Sequence, residues 1–176
     1  MGHVGITKWD YSEVNDKYRL GVFIGESKKN KYLLKFGMRI YDDSCINLPR
    51  RAKLSWNWSA LFGGVLWMGY RKMYIELAVL STLFMLPNLI FSNISDTQDT
   101  LMTALYWLVL GLLANSLYFA KCKREITRIK KLNLSLYDEL EVLKHKGGTS
   151  VAGIFISILI LIIEIAIYAI AHLYLI

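Results

Sequence analysis

Glu164 stands in the middle of ISILILIIEIAIYAI, with thirteen residues before it and twelve after it in the apolar run 151–176. An ionised carboxylate at a bilayer centre costs roughly 2.5–3.5 kcal/mol on insertion scales, so this group should be protonated, paired or turned toward a polar interior. On a helix, Ser157, Glu164, Tyr168 and His172 fall along one face, at steps of seven, four and four. The preceding apolar run carries a second stripe, Thr103, Trp107, Gly111 and Asn115, at steps of four. These two faces are expected to meet, with Glu164 bonded within the bundle or across a subunit interface. Asn115 lies nearer the other end of its run and joins only if the register brings it close. The foremost role for Glu164 is a neutral acid that knits helices together. Polar attachment to another membrane protein comes next, and proton or cation coupling third.

Little else in the chain points to catalysis. His3, His145 and His172 are scattered, and no Cys/His cluster has metal-ligand spacing. GGV and GGTS lack the lysine and the strand–loop–helix setting of a phosphate loop. Asp42-Asp43 before Cys45 is a lone acidic pair, and Ser55, Ser59 and Ser150 have no basic partner that would mark a nucleophile. The expectation is a non-enzymatic protein without cofactor or metal.

The elements that position these residues follow from hydropathy and charge. Hydrophobic residues make up 55% of the 176, and they fall in blocks at 74–91, 101–120 and 151–176. Each block approaches or exceeds the ~20 residues needed to cross a ~30 Å hydrocarbon core. All 21 Lys and Arg lie within 1–73 or 121–146, whereas the loop 92–100 carries Asp96 and Asp99. That placement argues for a membrane rather than nucleic acid as the source of the net charge of +7. Lys/Arg asymmetry sets orientation, so 1–73 and 121–150 are expected in the cytoplasm, with 92–100 and Ile176 outside. The first twenty residues lack an apolar core of 7–15 residues, so no cleaved signal peptide is expected. Ile6 falls where a myristoylation signal needs a small hydroxyl residue. Cys45 and Cys122, both on the cytoplasmic side, should be reduced.

Residues 1–53 read as a basic head. GVFIG and KYLLKFGMRIY around the turn GESKKNK suggest a small β-hairpin. A helix over 30–41, with Tyr32, Phe36 and Ile40 on one side, competes closely with it. Between the second and third apolar runs, Ile126, Ile129, Leu132, Leu136, Leu140 and Leu143 mark an amphipathic element in which Asn133 or Ser135 can cap a second helix, with Asp138 and Glu139 near its first turn. It reads as a bent helical hairpin on the headgroups, in preference to a docking surface. Lys121, Lys123, Arg124, Arg128, Lys130 and Lys131 would contact anionic lipid. GGTS at 147–150 should be a tight reversal, with Gly147 or Gly148 at positive φ and Thr149 or Ser150 capping the next helix. Glu76 is expected to reach the interface or to pair with Lys72.

The stretch 54–73 holds three tryptophans, Tyr70, three glycines and a terminal Arg71-Lys72. If it spanned, the basic segment 121–146 would be exported, against the charge bias. It reads instead as a re-entrant or interfacial helix, with Trp56, Ala60, Gly63 or Gly64, and Trp67 on one face. The glycine pair permits a kink or a close helix approach. NWSALFGGVLWMGYRKMY (57–74) resembles the signature of the DUF2628 family of small bacterial membrane proteins, typically NWAAFFFGPLWxxYRKMW. Asn57, Trp58, Ala60, Phe62, Gly64 and Leu66 fall on that pattern, as do Trp67, Tyr70, Arg71, Lys72 and Met73. The resemblance extends through KYLLKF, LLANSLYFAKCKREITRIKK and GGTS, and so covers roughly residues 31–165. Val65 stands for the usual proline and Gly63 for an aromatic residue, which would move the kink one residue earlier. The resemblance implies the topology and a bacterial inner-membrane home, and no reaction.

The sequence therefore predicts an all-α integral membrane protein. A cytoplasmic head (1–53) precedes a re-entrant or interfacial helix (54–73) and two transmembrane helices (74–120) joined outside by 92–100. Cytoplasmic amphipathic helices (121–150) and a third transmembrane helix (151–176) follow. Its expected role is an accessory subunit or homo-oligomer in an inner-membrane complex, with a membrane protein or a second copy and anionic lipid as partners. Two alternatives stand beside it: a small transporter or channel subunit using Glu164, and a lipid-interacting membrane-defence protein.

Overall fold

The structure, a computed structural model, describes residues 15–39, 48–90 and 95–175. His3, Ile40, the Asp42-Asp43 pair, Cys45 and Ile176 lie outside the described residues. Among the described residues every regular element is a helix: α1 (Asp16–Ile24), α2 (Lys29–Lys35), α3 (Trp58–Tyr70), α4 (Tyr74–Ile90), α5 (Asp96–Lys130), α6 (Leu136–Lys146) and α7 (Val151–Leu175).

The described part of the head is helical, so the hairpin reading of GVFIG is overturned. Asn15 caps α1 by accepting from the Tyr18 amide, and Leu20, Phe23 and Ile24 recur at helical spacing and are buried. That face finds α5 and α6 to pack on, and tertiary burial outweighs strand propensity. Gly25 at φ 92° and Gly37 at φ 82° end α1 and α2, a backbone region open chiefly to glycine.

α5 is one unbroken helix of 35 residues, so the apolar run 101–120 and the basic segment 121–130 share a single rod. The predicted amphipathic hairpin is thus the end of α5 plus α6, turned at Asn133 (φ 50°). Ser95 and Gln98 close a capping box at the start of α5, with Asp96 and Asp99 in the first turn, where negative charge suits the helix dipole. Ser135 caps α6 by accepting from the Asp138 amide.

Two helices, α5 and α7, are long and apolar enough to cross a membrane. α4 is shorter, with Pro87 near its end. Almost none of the most apolar part of α7 is buried, and Phe155, Leu159, Ile162 and Ile167 are more than half exposed. A core helix of a water-soluble domain would hide this surface; exposed apolar side chains of this kind suit a membrane or a protein partner.

α7 packs against α3 and α4 rather than against α5. This corrects the expected meeting of the 157–172 face with the 103–115 stripe. The reason lies at Gly69 and Gly153, where the two backbones approach so closely that a Cβ on Gly153 would collide with the Gly69 carbonyl. Small residues permit such approach where lipid supplies no hydrophobic drive between helices.

Candidate functional site

The signature residues of 55–73 converge on α5. Asn57 caps α3 with its side-chain oxygen on the Ala60 amide (3.2 Å), and its own amide donates to the Gly111 carbonyl (2.8 Å). The Asn57 Nδ2 donates to Asn115 Oδ1 at 2.9 Å, and Asn115 Nδ2 donates at 2.9 Å to the Ser55 carbonyl and Oγ. Ser55 Oγ passes the chain on to the Lys35 carbonyl, and Lys35 Nζ donates to the Trp56 carbonyl. Burial lowers the pKa of Lys35, with Lys31 adding to the shift. Both asparagines are buried. Their amides satisfy each other and the non-helical backbone at 55–57, which in a helix–helix interface would otherwise lack partners.

α3 then bends. Gly64 has φ 45° and ψ −121°, outside helical space, and the Trp107 ring occupies the place a Cβ would take. The kink therefore sits on Gly64 and not on Gly63, the earlier position expected from the missing proline. Trp107 needs bare backbone opposite it, and only position 64 faces it. The start of α3 lies beside Gly111 and Asn115, its bend beside Trp107, and its end beside Tyr118 and Lys121. The helix thus heads toward the N-terminal half of α5 and returns. Ala60, Gly64, Trp67 and Met68 face inward, while Trp58 (62% exposed) and Phe62 (80%) stack on each other outside with Leu66 beyond. Trp56 lies between, its ring against Trp58 and Gly111 and its indole N–H buried without a partner.

The Arg71-Lys72 exit is locked inward. Arg71 is buried, its guanidinium 4.5 Å from the Tyr32 ring centre and 5.0 Å from that of Tyr118, with Nη1 donating to the Tyr118 hydroxyl. Cation–π attraction to two rings takes the place of a carboxylate. Lys72 holds φ 57°, and bonds from Lys72 N to Gly69 O and Met73 N to Met68 O form a Schellman cap on α3. Lys72 Nζ reaches the His145 carbonyl, and burial lowers its pKa. Glu76 pairs with Arg124 at 2.7 Å, not with Lys72. Tyr70 O accepts from Ser150 N, Gly148 (φ 67°) donates its amide to Phe23 O, and Ser150 Oγ caps α7.

The basic residues of 121–131 divide into two groups. Lys121 is buried and donates to the carbonyls of Arg71 (2.7 Å) and Lys72 (2.6 Å), so it caps the end of α3 instead of meeting lipid. Lys130 pairs with Asp16 at 2.8 Å, beside the Arg19–Glu139 pair that ties α1 to α6. Lys123 reaches the Pro49 carbonyl at 3.4 Å. Arg128 and Lys131 remain exposed. Changing Lys121 to Met keeps its length but leaves two helix-end carbonyls unmet. The variant should lose about 2 kcal/mol, whereas Lys131→Met should be near neutral. Thermal midpoints followed by tryptophan fluorescence in detergent would measure both.

Glu164 is half-buried. Thr82 Oγ1 of α4 donates to its Oε1 at 3.3 Å, and its Oε2 is buried without a partner. It lines a small cleft of about 150 Å³ with Thr82, Met85, Leu86 and Tyr168. Ser157 donates back to the Ile154 carbonyl beside Gly69, and His172 lies against Tyr168 at 6.0 Å. The 157–172 face is therefore split between the α3 crossing and the α4 cleft. Cys122 is free and buried, and among the described residues no three His, Cys, Asp or Glu side chains cluster as metal ligands.

A basic group of small helices and two helices long and apolar enough to cross a membrane, joined by a bent helix whose cap bonds a buried asparagine, define the class as a small all-helical protein. The chain belongs to the DUF2628 family, described as a protein of unknown function, whose model matches residues 7–124. The match begins earlier than the resemblance at 31 and stops before GGTS, so α6 and α7 lie beyond it. No curated protein and no solved structure matches the chain.

Proposed function

We infer that this is a non-enzymatic, multi-pass protein of the bacterial inner membrane that works by associating with another membrane helix, as an accessory subunit or a homo-oligomer. In this reading α4, α5 and α7 cross the bilayer, and α3 enters and leaves on the cytoplasmic side. The doubled-back contacts of α3 along α5 favour that path, since irregular backbone at membrane depth is tolerated only where protein covers it. Orientation follows the lysines and arginines, all of which lie in the segments 1–73 and 121–146 of the sequence. The head and the C-terminal end of α5 then lie in the cytoplasm, and the end of α7 outside.

The observation that carries the reading is Glu164. A carboxyl with one oxygen on Thr82 and the other unpartnered, opening onto a cleft among exposed aliphatic side chains, is incomplete within one chain. A side-chain rotation that turns this buried oxygen into the cleft would let a donor from a neighbouring helix complete it. The signature residues around Asn57 and Arg71 are, by contrast, engaged internally.

The test compares Glu164→Gln with Glu164→Leu by cross-linking and co-purification of the full chain from membranes in mild detergent. Association through hydrogen bonding predicts that Gln retains the complex and Leu loses it. Equal loss in both would mean that the complex needs the carboxylate itself, as in an ion pair, and would overturn attachment by neutral hydrogen bonding. Retention in both would remove Glu164 from any interface.

A further inference from the structure

A second feature lies along α5, where residues 50–54 lead into the polar knot at Ser55. Residues 50–54 run beside α5 and enclose with it a groove of about 960 Å³. One end is lined by Leu54, Leu113, Phe119 and Ala120. The other is lined by Arg50, Arg51, Lys123, Arg124, Arg128 and Lys131. No acidic residue is among the described residues that line it. Two of the six cations are engaged elsewhere, Arg124 with Glu76 and Lys123 with the Pro49 carbonyl. Arg50, Arg51, Arg128 and Lys131 are exposed.

This division along the helix is informative. Residues 113 to 120 belong to the apolar run and 123 to 131 to the basic extension, so one continuous groove passes from hydrocarbon-like to cationic surface over about 27 Å of helix, at 1.5 Å per residue. A soluble anion would need only the cationic end, and an apolar helix only the other. An acyl chain joined to a phosphate headgroup needs both, in this order. The guanidinium forks of Arg50, Arg51 and Arg128 suit phosphate oxygens, which they can hold bidentately.

We propose that this groove is a binding site for one anionic phospholipid, its phosphate among Arg50, Arg51, Arg128 and Lys131 and an acyl chain along Leu54, Leu113 and Phe119. The proposal rests on the membrane reading above and goes beyond a diffuse attraction of basic side chains to a charged surface. It also assigns the site to residues 50 and 51 as much as to α5, and leaves out Lys121 and Lys130, whose ammonium groups are engaged within the chain.

The full chain, purified in a neutral detergent, would be titrated with phosphatidylglycerol or phosphatidylcholine and read by native mass spectrometry for retained lipid. One phosphatidylglycerol per chain should be retained, with a preference of about tenfold or more over phosphatidylcholine. Arg50→Gln, Arg51→Gln, Arg128→Gln and Lys131→Gln together should abolish the preference. Lys144→Gln with Lys146→Gln, basic residues of α6 outside the groove, should not. Leu113→Trp fills the apolar end without touching charge and should also reduce retention, which keeps the test decisive if the quadruple variant folds poorly. Inorganic phosphate and glycerophosphoglycerol at millimolar concentration should fail to displace the lipid. Displacement by either, an unchanged preference in the quadruple variant, or undiminished retention in Leu113→Trp would overturn the proposal. A chain that stays soluble when expressed without detergent would instead overturn the membrane reading on which it rests.

Discussion

Gly64→Ala is expected to lower stability by about 3 kcal/mol, from roughly 1–3 kcal/mol of backbone strain and a similar overpacking cost. The two costs arise from one atom. At φ 45° and ψ −121° a Cβ is disfavoured by the local backbone, and it would also enter the Trp107 ring. Gly63→Ala supplies the comparison. Gly63 does not share the positive φ, and its Cβ would only touch the Trp67 Cβ at 3.3 Å. That change should stay within about 1 kcal/mol of the parent, because alanine's better helix propensity offsets the tight contact. Heating detergent-solubilised protein and measuring the folded fraction by size-exclusion chromatography should show a midpoint drop of roughly 10 °C for Gly64→Ala alone. Gly64→Ala combined with Trp107→Ala should recover the overpacking part and retain the strain. Equal tolerance at 63 and 64 would mean that the bend is not where α3 meets Trp107.

The second large effect is expected at Asn115. Asn115→Leu keeps the number and branching of side-chain heavy atoms but removes the acceptor for Asn57 Nδ2 and the donor to the Ser55 carbonyl and Oγ. Leaving such groups buried without partners costs about 1–3 kcal/mol. The loss should propagate, because the same network holds 55–57 against Gly111 and sets where α3 begins. A cycle of Asn57→Ala, Asn115→Ala and the double variant should show coupling of about 1 kcal/mol, in the range found for interhelical hydrogen bonds in membranes. Asn57→Ala alone also removes the α3 cap, an added cost of about 1 kcal/mol. Additive losses without coupling would refute the direct Asn57–Asn115 bond.

Several parts of this arrangement are legible in the sequence. Asn57 and Gly64 fall on a signature, and Asn115 falls on a polar stripe within an apolar run, so each is marked as unusual by its surroundings. Caps are legible too. Ser135 before Asp138 and Ser150 after two glycines are local patterns, and they cap α6 and α7 as expected. Lys121 departs from expectation because it sits in a basic run whose other members are mostly exposed. Nothing local says that this lysine alone turns toward the carbonyls of Arg71 and Lys72. A helical wheel offers one hint: Lys121 follows Tyr118 and Asn115 at steps of three, and so lies on the buried side. The head is ambiguous for a different reason. Val22, Phe23 and Ile24 carry both β-propensity and, with Leu20, a helical face, and the choice between them is made by what that face packs on.

By itself the sequence determined the helical class outside the head, the separation of charge from apolar length, and the caps of α6 and α7. Those properties depend on neighbours within a few positions. Only the tertiary structure decided that α3 bends at Gly64 and not at Gly63, that α7 joins α3 and α4 through Gly69 and Gly153, and that residues 50–54 close a groove on α5. Each of these depends on which backbones approach within contact distance. Glycines admit such approach without favouring any one partner, so the pairing is settled by how all the helices fit together at once.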